Sequence, residues 1–196
     1  MRPNFSRLSL TIALALISVY PAMGQYLGSG GGAQPQPARS ATSPQAIRQW
    51  FDRYDNIRRQ AQMNPADRKR ADEVMSKGLA VIIPGDDKTA AQAFMRKLIQ
   101  KDGAGAEQLK QLPLYPETEN LHRGYYRYFT QAAKLFDDYI TVQNNVFASD
   151  ANGQPLAAGL PARKAALEEL DNSNKALDAQ LRQRFNIPAY SYIPPN

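Results

Sequence analysis

The stretch LHRGYYRYFTQAAKLFDDYITVQNNVF, residues 121–147, decides the fold. Leu121, Tyr125, Tyr128, Ala132, Leu135, Tyr139, Val142 and Val146 step by 4, 3, 4, 3, 4, 3, 4, the spacing of a helical seam. A second row runs beside it through His122, Tyr126, Phe129, Ala133, Phe136, Ile140 and Phe147. At about 100° per residue the two rows cover half of a helix circumference. Arg123, Arg127, Thr130, Lys134, Asp137, Asp138 and Thr141 fill the remaining arc. A helix with so broad an apolar side belongs at the centre of a bundle, packed on two flanks.

Neighbouring segments supply the flanks. Ser43-Pro44 is a cap residue followed by proline at the first helical position, and Ile47, Trp50, Tyr54, Ile57 and Ala61 trace one face after it. Asp55 and Arg59 are placed on the outside of this first helix. Asn64-Pro65 opens a second helix, with Ala71, Val74, Met75, Gly78, Leu79 and Ile82 inward and Pro84-Gly85 as its stop. A third begins at Asp86 or Asp87 and carries Ala90, Ala91, Phe94, Leu98 and Ile99, with a break expected at Asp102-Gly103-Ala104-Gly105. The fourth is expected from Pro116 to about Ser149, and the fifth from just after Pro161 to about Phe185, before Pro188. The pattern predicts an all-α, up-and-down bundle of four or five helices spanning 43–188, with an extended tail over 189–196 rich in proline and tyrosine.

The N-terminus has a different character. Arg2 and Arg7 precede twelve uncharged residues, Leu8–Val19, and Ala22 and Gly24 stand three and one before Gln25. That is the layout of a secretory signal over 1–24, with cleavage before Gln25. Twelve residues at about 1.5 Å each reach about 18 Å, short of the roughly 30 Å hydrocarbon core. Residues 25–42 are rich in Gly, Pro, Gln and Ser and read as a flexible leader. The expected location is outside the cytoplasm, periplasmic or secreted, with no membrane span after cleavage. The chain has no cysteine, so neither a disulfide nor a lipidated cysteine contributes.

The formal charge is +6. Cleavage would take away two of the 24 basic residues, Arg2 and Arg7, and none of the 18 acidic ones, leaving +4. Basic residues concentrate before Asp102. Arg58, Arg59, Arg68, Lys69 and Arg70 gather at the junction of the first two helices, where an envelope protein or anionic surface is the expected partner. Export argues against nucleic acid, and no nucleic-acid motif occurs.

The sequence points to no reaction. His122 is the only histidine. A metal site takes three or four ligands, and neither cysteine nor a second histidine is present to complete one. There is no Gly-x-Ser-x-Gly, P-loop, dinucleotide fingerprint or c-type haem motif. The expectation is therefore a non-enzymatic interaction or structural module with no metal or cofactor. The alternative is a small-ligand or cofactor binder at the His122/Tyr126 edge. The aromatic cluster at 121–129 reads first as core and His122 as a hydrogen-bonded edge histidine. Gly124, costing about 1 kcal/mol against alanine in a helix, signals close approach of the leader, the tail or a ligand. In the fifth helix Leu160, Arg163, Leu167, Leu170, Asn174, Leu177 and Leu181 form a seam with a polar Asn174, an ordinary bundle face or a homodimer contact. Tyr190 and Tyr192 in the tail strap back over the bundle or meet a partner.

Overall fold

The computed structural model describes residues 42–77 and 85–191. They form five helices: α1 Pro44–Ala61, α2 Pro65–Lys77, α3 Gly85–Lys110, α4 Glu119–Asn144 and α5 Leu156–Phe185. Among the described residues the only β-type pairing is one bridge between Ser149 and Pro155. The expected signal segment and leader through residue 41, the continuation of the second helix over 78–84, and Tyr192 lie outside these residues.

The three long helices lie antiparallel, with α4 between α3 and α5. The fourth lane of the bundle is shared. In one apolar core α1 supplies Ile47, Trp50, Phe51 and Tyr54, packed on Leu109 from the end of α3, Leu121 and Tyr125 from the start of α4, and Leu181 of α5. In the other, α2 supplies Ala71 and Met75 against Phe94, Met95 and Leu98 of α3, Leu135, Phe136 and Tyr139 of α4, and Leu160 of α5. The central position of α4 follows from the two apolar rows read in its sequence. Local devices also act as the sequence predicts. The Ser43 hydroxyl accepts from the Ala46 amide to cap α1. The fifth helix ends at Phe185 as expected, through a device not read in the sequence: Asn186 adopts the left-handed conformation (φ 52°) ahead of Pro188.

Four expectations are corrected. The Asp102–Gly105 run does not break α3, which continues to Lys110. Gly105 instead lets α1 and α4 close in, since a Cβ there would lie 3.1 Å from the Ala61 Cβ and 3.3 Å from the Phe129 ring. The start of α4 is Glu119 rather than Pro116, and its end is Asn144 rather than Ser149. The Asn145 side chain accepts from the Phe147 amide (3.1 Å), a local turn that competes with the helix. Val146 and Phe147, read as core, are therefore 60 % and 87 % exposed. The start of α5 is Leu156, so Pro161 lies inside the helix. Its ring omits only the bond to the Ala157 carbonyl in the opening turn, and the Leu156 amide anchors that turn to the Ala148 carbonyl (2.9 Å). Finally Asp138, assigned to the polar stripe of α4, is buried against α5, where it ion-pairs with Arg163.

Candidate functional site

The aromatic stretch on α4 is mostly core. Tyr125 meets Tyr54 edge-on, with centroids 5.5 Å apart, and Phe129 lies 6.1 Å beyond. Burial pushes the Tyr125 hydroxyl up to about 12 and raises Tyr54 well above its ordinary value. Neither hydroxyl has a partner in good hydrogen-bond geometry among the described residues. Both rings face Arg58, whose guanidinium carbon is 4.7 Å from the Tyr125 centroid and 5.4 Å from that of Tyr54.

His122 is buried, and its Nε2 is 2.7 Å from the Leu109 carbonyl near the end of α3. The same carbonyl accepts from the Leu112 amide at 2.9 Å, so His122 adds a side-chain contact from α4 to the turn that ends α3. The histidine is a pin between two helices, as the hydrogen-bonded reading expects. Gly124 sits beside it, and the approach it permits is from α5. A Cβ at this position would overlap the Asn174 side-chain oxygen outright. The approaching group is thus Asn174, and the expected leader, tail or ligand is not what fills this space. Asn174 is itself buried, as are Leu160 and Leu181, so these seam positions of α5 are used within the bundle.

Beside Gly124, α4, α5 and the segment after α3 line an open groove of about 940 Å³. Leu112, Leu114, Tyr126, Leu170 and Leu177 supply its apolar surface, and Lys110, Arg123 and Arg127 its basic rim. His122 and Tyr126, paired as an edge in the sequence, line the same groove. Leu114 is 58 % exposed there. Lys110 pairs with Glu107 and Arg123 with Glu119, each at 2.6 Å, while Arg127 forms no ion pair among the described residues.

The five basic residues of the α1–α2 junction do not form one surface. Arg58 is buried and bonds Asp178 at 2.9 Å. Its expected exposure is corrected, because its row on α1 (Phe51, Tyr54, Arg58) faces α5. Arg59 is half-buried and donates to Asn56 on its own helix. Arg70 lies over the Phe94 ring at 4.7 Å. Lys69 points outward near Glu73 (4.0 Å), and Arg68 lines a separate cleft toward α5.

The sequence reading missed a buried ion network. Asp178 accepts from Arg58 at 2.9 Å and from Arg182 at 3.0 Å, and Arg182 also ion-pairs with Asp55. Asp55 thus faces inward to α5 instead of outward to Arg59. The tail closes over this network. Arg182 donates to the Pro188 carbonyl at 2.8 Å, the Tyr190 hydroxyl donates to Gln62 at 2.8 Å, and the Tyr190 ring covers Arg58 at 3.9 Å. The strap reading of Tyr190 is what the structure displays. A signal was present in the sequence: Asn174, Asp178 and Leu181 step by 4 and 3 on one face of α5. No family model, curated protein or solved structure matches this chain.

Proposed function

We propose that this chain is an exported, non-enzymatic interaction module that holds a segment of an envelope protein in the α4–α5 groove. The observation that carries the reading is the groove's make-up, an apolar surface bearing an exposed Leu114 and rimmed by Lys110, Arg123 and Arg127. Exposed apolar surface rimmed by charge marks contact sites, and a basic rim selects a partner segment with apolar side chains flanked by acidic ones. Export rests on the layout of residues 1–24.

Photo-crosslinking in the native host tests the reading. A photoreactive side chain at Tyr126 should trap one protein, and the same probe at Lys69 should not. Arg123→Glu with Arg127→Glu should abolish the Tyr126 adduct, and raised salt should weaken it. Equal trapping at both sites, or indifference to charge reversal, would reject the groove. The mature N-terminus should read from Gln25, and a retained Met1 would reject export.

A second reading, a small molecule at the His122/Tyr126 edge, draws on His122 Nδ1, which is buried without a hydrogen-bond partner among the described residues. Native mass spectrometry of protein from its host separates the two, because a retained low-mass ligand displaced by Tyr126→Ala favours this alternative.

A further inference from the structure

On the flank of α5 next to Asn174, a cleft of about 340 Å³ runs between α2 and α5 and is floored by α4. That volume suits a small organic molecule. A deeper recess of about 50 Å³ continues from it toward Tyr125, and Asp102 lines both. Asp102 is 8 % exposed. Among the described residues it accepts no side-chain hydrogen bond and forms no ion pair, although a buried carboxylate normally requires one. Its neighbours do not neutralise it. Lys101, next to it on α3, sends its Nζ to the Gln62 carbonyl at 3.0 Å. Lys175 is taken by Asp171 at 2.5 Å, and Lys164 by Glu168 at 2.6 Å and Asp72 at 3.3 Å. Arg58, at the end of the recess, is committed to Asp178. Met63, Tyr128, Leu135 and Phe136 make the walls apolar and aromatic.

We infer that this cleft binds a small organic monocation, an alkyl- or arylalkylammonium whose charged head meets Asp102 and whose apolar body lies along Tyr128, Leu135 and Phe136. A buried unpaired carboxylate beside aromatic faces is complementary to an ammonium group through charge-assisted hydrogen bonding and the ring quadrupole. Lys164 and Lys175 are held by carboxylates of the same cleft, whereas Arg68, which lines both the cleft and the recess, forms no ion pair among the described residues and disfavours a second positive charge on the ligand. The site is sensitive to pH. Burial pushes the Asp102 carboxyl up to about 7, against the opposing pull of Lys101. Besides Lys101 on α3, the titratable groups lining the cleft and recess with it are Arg68 and Asp72 on α2, Arg58 on α1, Tyr125 and Tyr128 on α4, and Lys164, Glu168, Asp171 and Lys175 on α5. Below pH 7 Asp102 takes up a proton, and the attraction for a cation falls with it.

Calorimetry on the full chain decides the matter, with hexylamine as the probe, 1-hexanol as its neutral counterpart and 1,6-diaminohexane as the dication. At pH 8 hexylamine should bind at least tenfold more tightly than either. Affinity should fall at least tenfold in Asp102→Asn and, in the unmodified chain, at pH 5. The pH comparison needs no variant and stands even where a variant folds poorly. If 1-hexanol binds as well as hexylamine, if affinity survives both Asp102→Asn and pH 5, or if hexylamine fails to bind below 10 mM, roughly the weak end of specific binding, the cleft is a hydrated gap and the inference is overturned.

Discussion

At the scale of single residues, two side chains show how far a local environment departs from what their type suggests. Asp102 carries its carboxyl up from 3.8 to about 7 because burial disfavours the charged form. The folded state therefore binds more protons than the unfolded chain between these values, and stability falls as pH rises through that window. Ionised Asp102 costs on the order of 4 kcal/mol well above pH 7. The amide of Asp102→Asn keeps the shape and removes the charge. This variant should melt several degrees higher than the parent at pH 8 and differ little at pH 4, and the difference between the two curves isolates Asp102 from other carboxylates. A constant difference across pH would show that the fold does not shift the Asp102 carboxyl from its ordinary value. Gly124 is the second case. Gly124→Ala should destabilise by about 1–2 kcal/mol despite the better helix propensity of alanine, because Asn174 occupies the space of the new methyl. In an Asn174→Ala background the same change should become neutral or favourable. Chemical denaturation of the two single variants and the double variant measures the coupling, and simple additivity would remove Asn174 as the cause.

At the scale of elements, what was legible divides by whether the signal is periodic or punctuating. The apolar rows of α4 gave its central place, because a row of eight or seven positions averages over individual exceptions. The start of α1 was legible because Ser43-Pro44 is itself the capping device. Punctuation misled where packing overrides propensity. Gly103 and Gly105 look alike in sequence, yet only one has a packing role. Space within 4 Å of a Cβ at Gly103 is empty, whereas Gly105 faces Ala61 and Phe129. Gly103→Ala should therefore stabilise α3 by about 0.5–1 kcal/mol through propensity and reduced unfolded-state entropy. Gly105→Ala should lower stability by at least as much. Thermal melts of the pair check this at once, since equal shifts would mean that neither glycine is packed. Pro161 misled in the same way, because a proline near a helix start removes a single bond and the Ala148–Leu156 contact sets the boundary from outside the helix.

At the scale of the whole molecule, pairwise placement between distant segments was the part the sequence did not display. Arg58 and Asp178 each sit beside a seam residue, Ile57 or Leu177, and periodicity cannot tell a charge at the margin of an apolar face from one on the surface. Folding joins Asp55, Arg58, Asp178 and Arg182, then lays Tyr190 over Arg58. The candidate site followed the same rule. His122 and Tyr126 were legible as residues, but the groove they line needs Leu170 and Leu177 from α5, and Asp102 was legible only as part of a turn-like run. The ion network ties α1, α5 and the tail into one unit, and its disruption has an asymmetric cost. Asp178→Ala leaves Arg58 and Arg182 buried, the first with no carboxylate and the second with Asp55 alone, and should destabilise by about 3–5 kcal/mol. The paired change Arg58→Met with Asp178→Leu removes a charge of each sign and fills similar volume, while Arg182 keeps Asp55. It should recover most of that loss, because a buried pair contributes little beyond the desolvation it offsets. Denaturant melts at pH 7 measure both. A double variant as unstable as Asp178→Ala would show that the network contributes net stability of its own. A mild effect of Asp178→Ala would show that water reaches the arginines once the carboxylate is gone.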